Sequence, residues 1–173
     1  FTLNLFDSIQ PVLTCPLDVT DYYDSNCEFI IPDYILSTTS SDNCDGNPIL
    51  TQSPVSGTVI YNDTIITITS SDNSGNFNTC SFNLTILDSI NPTVNCIPSQ
   101  TLYLDTACNY LLPNYIDSIS TSDNCDTNLV ITQFPVAGSI INSDTIVIIS
   151  IFDSSGNNTT CEIPIFLLDT INP

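Results

Sequence analysis

The chain of 173 residues repeats itself at an interval of 81 positions (96 − 15 = 81). Each cysteine of the first copy has a counterpart in the second: Cys15, Cys27, Cys44 and Cys80 are matched by Cys96, Cys108, Cys125 and Cys161. The acidic segment Ser-Asp-Asn-Cys-Asp at residues 41–45 likewise returns at 122–126. Repeats of this kind fold as a series of similar units. The register predicts the last strand of a preceding repeat at 1–7, repeat 1 at 8–88, repeat 2 at 89–169 and the start of a following repeat at 170–173.

Short runs rich in Ile, Val, Thr, Tyr and Phe alternate with turn-forming residues in each copy. These residue types suit a pleated, half-buried surface, and the strongest runs lie at 64–70 and 145–151. About seven strands in a repeat of this length is the density of an immunoglobulin-like fold. The sequence therefore predicts the all-β class, with tandem immunoglobulin-like β-sandwiches of about seven strands, stapled by disulfides.

The chain contains no Lys, Arg or His, and its net charge is −19. Nothing in it can neutralise phosphates, so the composition excludes nucleic-acid binding. A His-based catalytic triad, a His-ligated zinc and a phosphate loop with its Lys are excluded for the same reason. At 42% hydrophobic residues the chain is nevertheless rich enough to bury a core. No apolar run approaches the ~18 residues of a membrane span.

The eight cysteines predict disulfides rather than metal ligation, because they accompany no His and no Cys-x-x-Cys motif. Disulfides in turn predict an oxidising, extracellular setting. Four cysteines per repeat allow three pairings within the repeat. We favour Cys15–Cys80 with Cys27–Cys44 in the first repeat, and Cys96–Cys161 with Cys108–Cys125 in the second. In this arrangement, one bridge ties the first strand to the last and the other anchors the acidic loop.

The acidic segment and a later Ser-Gly-Asn turn supply the candidate metal ligands. If both lie at one end of the sandwich, three carboxylates converge in each repeat: Asp42, Asp45 and Asp72, then Asp123, Asp126 and Asp153. Carboxylates with amide and carbonyl oxygens are the ligands of Ca²⁺, so no cofactor is required but Ca²⁺ is a candidate. The alternative is that these side chains only cap backbone N–H groups in turns. A second candidate site is the joint between repeats, at Asp88 and Asp169.

Several motifs together resemble the hyalin repeat. They are Asp-x-x-x-Pro-x-x-x-Cys at 7–15, Pro-Val-x-Gly at 54–57 and 135–138, and Asp-x-Ser-Gly-Asn-x-x-x-Cys at 72–80 and 153–161. The resemblance implies immunoglobulin-like extracellular modules linked to adhesion. The additional cysteines Cys27 and Cys44 resemble a variant found in very long surface proteins of Bacteroidetes.

Seven hydroxyl residues follow Asp and precede an aliphatic residue or Ala, which resembles the O-glycosylation sequon of Bacteroidetes. They are Ser8, Thr64, Ser89, Thr106, Ser118, Thr145 and Thr170. The opposing interpretation is that Asp, Ser and Thr are abundant and that a repeat copies a chance match. Sequons for N-glycosylation occur at Asn62, Asn83, Asn157 and Asn158.

The leading functional hypothesis is a non-enzymatic structural stalk in a giant secreted cell-surface adhesin. The expected partners are neighbouring repeats of the same chain and an external surface, glycan or other cell. By resemblance, the role is flavobacterial attachment or gliding, with export by the type IX system. Since the sequence has no start Met or signal peptide, we expect an interior piece of a longer chain. The alternative is a module that itself binds glycans or proteins, with aromatic contacts from Tyr22, Tyr23, Tyr34 and Tyr115.

Overall fold

The computed structural model describes residues 6–170. The chain divides into two compact units, Phe1–Leu87 and Asp88–Pro173. Residues 1–5 and 171–173, which hold most of the predicted flanking segments, lie outside the described residues. Within residues 6–170, no helix is long and apolar enough to cross a membrane.

Each unit contains eight strands in its described residues, one more than predicted. In unit 1 they are β1 (Val12–Thr14), β2 (Val19–Tyr22), β3 (Phe29–Ile30), β4 (Thr39–Ser41), β5 (Ile49–Ser53), β6 (Val59–Ile60), β7 (Thr64–Ser71) and β8 (Phe77–Leu87). In unit 2 they are β9 (Thr93–Asn95), β10 (Gln100–Tyr103), β11 (Tyr110–Leu111), β12 (Ser120–Ser122), β13 (Val130–Phe134), β14 (Ile140–Ile141), β15 (Thr145–Phe152) and β16 (Asn158–Leu168). A short 3₁₀ helix precedes the fourth strand of each unit, at Tyr34–Ser37 and Ile116–Ser118.

A four-stranded sheet forms one layer of each unit, in the order β2-β8-β7-β5 and β10-β16-β15-β13. In unit 1, β2 pairs in parallel with β8, so that Val19 lies opposite Leu84 and Tyr22 opposite Leu87. The other pairs in this sheet are antiparallel. Two short antiparallel pairs, β1 with β4 and β3 with β6, make up the rest of the strands of unit 1. The prediction of all-β immunoglobulin-like sandwiches is confirmed.

Alternate residues of β7 and β8 supply most of the core of unit 1, and Ile31 and Tyr34 complete it. Ile66 and Ile68 of β7 are fully buried, and Phe82, Leu84 and Ile86 of β8 are at most 5% exposed. Each such side chain contributes about 1.5–3 kcal/mol through burial. The counterparts in unit 2 include Val147, Ile149, Ile163 and Ile165. This period-two pattern fixes which face of the sheet is covered.

The chain passes along the length of each unit. At what we call the upstream end, the Asn76 amide donates to the carbonyl of Asp7, next to the start of β8. At the downstream end, the Tyr23 N–H donates to the carbonyl of Leu87, where β8 ends. β8 spans 11 residues, so the two ends are about 35 Å apart. Unit 2 repeats the arrangement: Asn157 donates to Asp88 upstream, and Leu104 donates to Leu168 downstream.

One predicted disulfide of each repeat is present, and the other is not. Cys15–Cys80 and Cys96–Cys161 are bonded, with Cα atoms 5.9 and 5.8 Å apart. Cys44 and Cys108 are free and exposed, so the predicted pairs Cys27–Cys44 and Cys108–Cys125 are wrong. Cys27 and Cys125 are themselves disulfide-bonded.

The reason for this correction is the position of the cysteines along the unit. The Cys27 N–H donates to the carbonyl of Asp24, just after Tyr23 at the downstream end. Cys44 lies in the acidic loop, whose Asp42 clusters with Asp7 at the upstream end. A disulfide requires Cα atoms within about 7 Å of each other. Cys27 and Cys44 of one unit are therefore too far apart to bond.

Candidate metal centre

A cluster of carboxylates lies at the upstream end of each unit. In unit 1, one carboxylate oxygen from each of Asp7, Asp42 and Asp72 lies within 4.8 Å of the others. In unit 2, four residues meet the same condition: Asp88, Asp123, Asp126 and Asp153. We call these groups the unit 1 cluster and the unit 2 cluster. Asp88, Asp123 and Asp153 are the counterparts of Asp7, Asp42 and Asp72 in the repeat register.

Three separate chain segments supply the unit 1 cluster. Asp7 belongs to the segment that leads into β1, Asp42 follows β4 directly, and Asp72 follows β7 directly. β1 pairs with β4, which brings the incoming segment and the acidic loop to the same end. Asp72 lies there because the turn into β8 returns the chain at this end.

In Asp7 and Asp42, and in their counterparts Asp88 and Asp123, one carboxylate oxygen accepts hydrogen bonds from backbone N–H groups. Asp42 Oδ1 accepts hydrogen bonds from the N–H groups of Cys44 and Asp45, both at 2.9 Å. Asp7 Oδ1 accepts one from the N–H of Ile9 at 3.0 Å. In unit 2, Asp123 Oδ2 and Asp88 Oδ1 do the same for the corresponding loops. The predicted turn-capping role is therefore real, and it occupies only one oxygen of each of these side chains.

The second oxygen of each of these side chains is buried without a hydrogen-bond partner. In unit 1 these atoms are Asp7 Oδ2 and Asp42 Oδ2, and in unit 2 they are Asp88 Oδ2 and Asp123 Oδ1. Each exposes less than 1 Å² to solvent. A buried carboxylate oxygen with no donor carries a large desolvation cost. These four oxygens lie at matching positions in the two units.

Asp72 is the most deeply buried carboxylate of the unit 1 cluster, with 7% of its surface exposed. Burial acts to raise the pKa of its carboxyl group, but hydrogen bonds from the Asn76 amide and from the N–H groups of Asn76, Ser74 and Gly75 outweigh it. The net effect is a pKa below the ordinary value of 3.8. Asp72 therefore stays ionised at neutral pH.

The two clusters differ at the second Asp of the acidic loop. In unit 2, Asp126 belongs to the cluster and also accepts hydrogen bonds from the N–H and hydroxyl of Ser154. In unit 1, its counterpart Asp45 accepts from the N–H groups of Asn47 and Asn73. Among the described residues, Asp45 is not brought into the cluster, although the sequence predicted it there.

No cation of the protein offsets these charges. The full sequence has no Lys, Arg or His, and at an effective dielectric constant of about 20 two like charges 4 Å apart repel by about 4 kcal/mol. A shallow depression lined by Asp7, Asn43, Cys44 and Ser74 gives solvent access beside the unit 1 cluster. The arrangement can accept a small cation from solution.

Sequence reasoning missed Asp7 as a ligand and assigned Asp88 to a separate joint site. The structure places Asp88 in the unit 2 cluster, whereas Asp169 follows β16 at the downstream end. The signal that could have found Asp7 is its match to Asp88 in the repeat register. What the sequence could not show was that the incoming segment and the acidic loop share one end of the unit.

The Cys44 thiol lies beside the unit 1 cluster. Local desolvation, the negative charges of Asp7 and Asp42 and a hydrogen bond to the Asp7 side chain raise the pKa of this thiol. The thiolate is the reactive and metal-binding form of cysteine. Cys44 is therefore held mostly in the less reactive thiol form at neutral pH.

The other predicted sites are spread over the surface. Of the hydroxyls in the Asp-(Ser/Thr) sequons, Ser8, Ser89, Thr106, Ser118 and Thr170 are exposed, and Thr64 and Thr145 are half-buried. Among the N-glycosylation sequons, Asn62, Asn83 and Asn158 are exposed, whereas the Asn157 amide donates to Asp153 and Asp88. Of the predicted aromatic contacts, Tyr34 and Tyr115 belong to the cores and Tyr22 is exposed. Tyr23 is half-buried, and its hydroxyl donates to the carbonyl of Tyr61.

Comparison with known proteins finds a related sequence over part of the chain. A stretch of 110 residues, 61% of the chain, is 31% identical to the mouse protein named sushi, von Willebrand factor type A, EGF and pentraxin domain-containing protein 1. The chain spans 3% of that protein's length. No protein-family model matches the chain. The resemblance to the hyalin repeat therefore stays a prediction.

Solved structures with related architecture are distant. The insect immune protein hemolin has a TM-score of 0.40 and 11% identity, over 95% of this chain and 49% of its own. The EC22–24 fragment of mouse cadherin-23 has a TM-score of 0.39 and 13% identity, over 92% and 67%. The I67–I69 fragment of titin has a TM-score of 0.35 and 12% identity, over 94% and 67%. The fold assignment itself rests on the strand order and cores described above.

Proposed function

We propose that the two units are hyalin-type spacer repeats in the stalk of a long secreted cell-surface protein that supports attachment or gliding. The stalk holds an adhesive region away from the cell, and the repeats themselves catalyse no reaction. Export by the type IX system and O-glycosylation at the Asp-(Ser/Thr) positions are parts of the same proposal. Five of the seven sequon residues are exposed, and the other two, Thr64 and Thr145, are half-buried.

The observation that carries the proposal is the path of the chain through each unit. The chain enters beside the turn that precedes the last strand and leaves where that 11-residue strand ends. The entry and exit of each copy are therefore about 35 Å apart, which is the property that a spacer repeat needs. A module whose termini lay together would add binding surface but little reach.

The disulfides support an extracellular location. Cys15–Cys80 and Cys96–Cys161 each connect the first strand region of a unit to its last strand. Bridges of this kind persist in oxidising compartments and are rare in the cytosol. They also compensate for the small core of a domain of this size.

Solution scattering on fused copies tests the spacer role. Pro173 matches Pro11 in the repeat register (173 − 2 × 81 = 11), so a fusion that continues from Pro173 into Val12 keeps the register. Each added copy carries two repeats and is expected to increase the maximum dimension by about 70 Å. A maximum dimension that grows only with the cube root of the mass would refute the spacer role.

A recognition module is the second candidate, because several large exposed side chains recur in both units. Tyr22 and Tyr103 are 54% and 60% exposed, and Ile30 and Leu111 are 60% and 65% exposed, at matching positions. Aromatic and apolar surface of this kind is common in binding sites. A glycan panel distinguishes the two functions. A spacer binds no glycan, whereas a recognition module binds one and loses it when Tyr22 and Tyr103 are both replaced by Ser.

A further inference from the structure

We infer that each upstream cluster is a Ca²⁺ site, and that the incoming Asp7 and Asp88 complete it. The proposed spacer role does not require a metal, so this inference goes beyond it. The ligands come from three segments in each unit: the incoming segment, the acidic loop and the turn before the last strand. The unit 1 site is Asp7, Asp42 and Asp72, and the unit 2 site is Asp88, Asp123, Asp126 and Asp153.

The buried oxygens without partners point to the ligand. Asp42 Oδ2 and Asp7 Oδ2 are each withdrawn from solvent and have no N–H or O–H donor. The other oxygen of each side chain accepts hydrogen bonds from backbone N–H groups. Asp88 Oδ2 and Asp123 Oδ1 repeat this in unit 2. Turn capping explains one oxygen of each side chain and leaves the other unexplained. A cation among the carboxylates supplies the missing partner for all four atoms.

The donor set selects the kind of cation. Every ligand on offer is a carboxylate oxygen, which favours hard cations over zinc or copper. Mg²⁺ demands near-ideal octahedral geometry at 2.0–2.1 Å. Here three segments are already fixed by their own backbone hydrogen bonds, which leaves little freedom to reach that geometry. Ca²⁺ accepts six to eight oxygens in irregular arrangements at 2.3–2.6 Å, with water completing the shell.

The two sites are expected to differ in affinity. The unit 2 cluster offers four carboxylates and the unit 1 cluster three, and affinity for Ca²⁺ rises with ligand charge and site rigidity. Asp126 is further held by Ser154. Unit 2 should therefore fill first in a titration.

Calorimetric titration of the whole chain with CaCl₂, after EDTA treatment and at near-physiological NaCl, tests the inference. Native mass spectrometry counts the ions. The expected result is two ions per chain, bound with unequal affinities. Asp88→Asn should weaken the unit 2 site about tenfold or more and leave the unit 1 site intact, and Asp7→Asn should do the reverse. Asp123→Asn serves as a second unit 2 variant if Asp88→Asn does not fold by circular dichroism.

Glu162→Gln is the matched control, because it also removes one negative charge but lies exposed on β16. It should retain both ions. The inference is overturned if Glu162→Gln weakens binding as much as Asp88→Asn, or if NaCl of equal ionic strength reproduces the effect of CaCl₂ on thermal stability. Equal affinity for MgCl₂ would overturn the assignment to calcium.

Discussion

At the scale of single residues, a buried glutamine in each unit connects neighbouring segments through side-chain hydrogen bonds. Gln52 is 7% exposed. Its Oε1 accepts a hydrogen bond from the N–H of Tyr34, and its Nε2 donates to the carbonyls of Pro32 and Pro54. Gln133 makes the same three bonds in unit 2. The side chain thus joins β5 to the 3₁₀ helix without any backbone pairing between them.

Replacing Gln52 by Ala should therefore destabilise unit 1. The change leaves the Tyr34 N–H buried without an acceptor, which costs about 1–3 kcal/mol. Urea unfolding followed by circular dichroism measures this loss, with exposed Gln10→Ala as the control. If both variants unfold at the same urea concentration, the three hydrogen bonds contribute nothing net.

The two free thiols provide a second residue-scale prediction. Alkylation of the unreduced protein in denaturant should add two groups per chain, at Cys44 and Cys108. In the folded protein, Cys44 should react slowly at neutral pH and faster as the pH rises, because its pKa is raised. Peptide mapping by mass spectrometry locates the adducts. The absence of adducts would instead favour the pairs Cys27–Cys44 and Cys108–Cys125.

At the scale of elements, the turn between β7 and β8 links stability to pH. The pKa of Asp72 is lower in the folded chain than its ordinary value of 3.8. Its contribution is therefore fully present above that value and is lost as the pH falls through the folded pKa. Asp72→Asn should destabilise unit 1 at neutral pH, and its difference from the natural protein should shrink below about pH 4.

Unfolding free energies in EDTA at several pH values measure this dependence, and EDTA removes any contribution from metal. Glu162→Gln again provides the control. If the difference in unfolding free energy between the Asp72 variant and the natural protein stays constant down to strongly acidic pH, the carboxylate charge does not stabilise the turn.

The strands themselves were largely predictable, because their side-chain pattern is local. The expected runs at residues 64–70 and 145–151 each end one residue before the observed strands β7 and β15. β4 was missed because Thr39–Ser41 is short and polar and is defined by its pairing with β1. The wrong disulfide pairs and the omission of Asp7 have one common origin. Both required knowing which loops share an end of the unit, and this depends on long-range pairing.

At the scale of the whole molecule, the repeat places a copy of each structural feature in both units. The carboxylate cluster, the buried glutamine and the bridge from first strand region to last strand occur once per unit at matching positions. The charge is also distributed over both units, with none of it offset by Lys, Arg or His. Repulsion between chains should therefore weaken as salt screens it.

The bridge from Cys15 to Cys80 also determines how a unit responds to being pulled. Tension applied at Asp7 and Leu87 passes through the disulfide, so the chain between the cysteines, a separation of 65 residues, is hidden from the force. Stretching single molecules in optical tweezers should release only short extensions per unit while the bond is intact. A reducing agent should add about 220 Å per unit. Under tension, an oxidised array should therefore extend very little. A reduced array should lengthen as its units unfold.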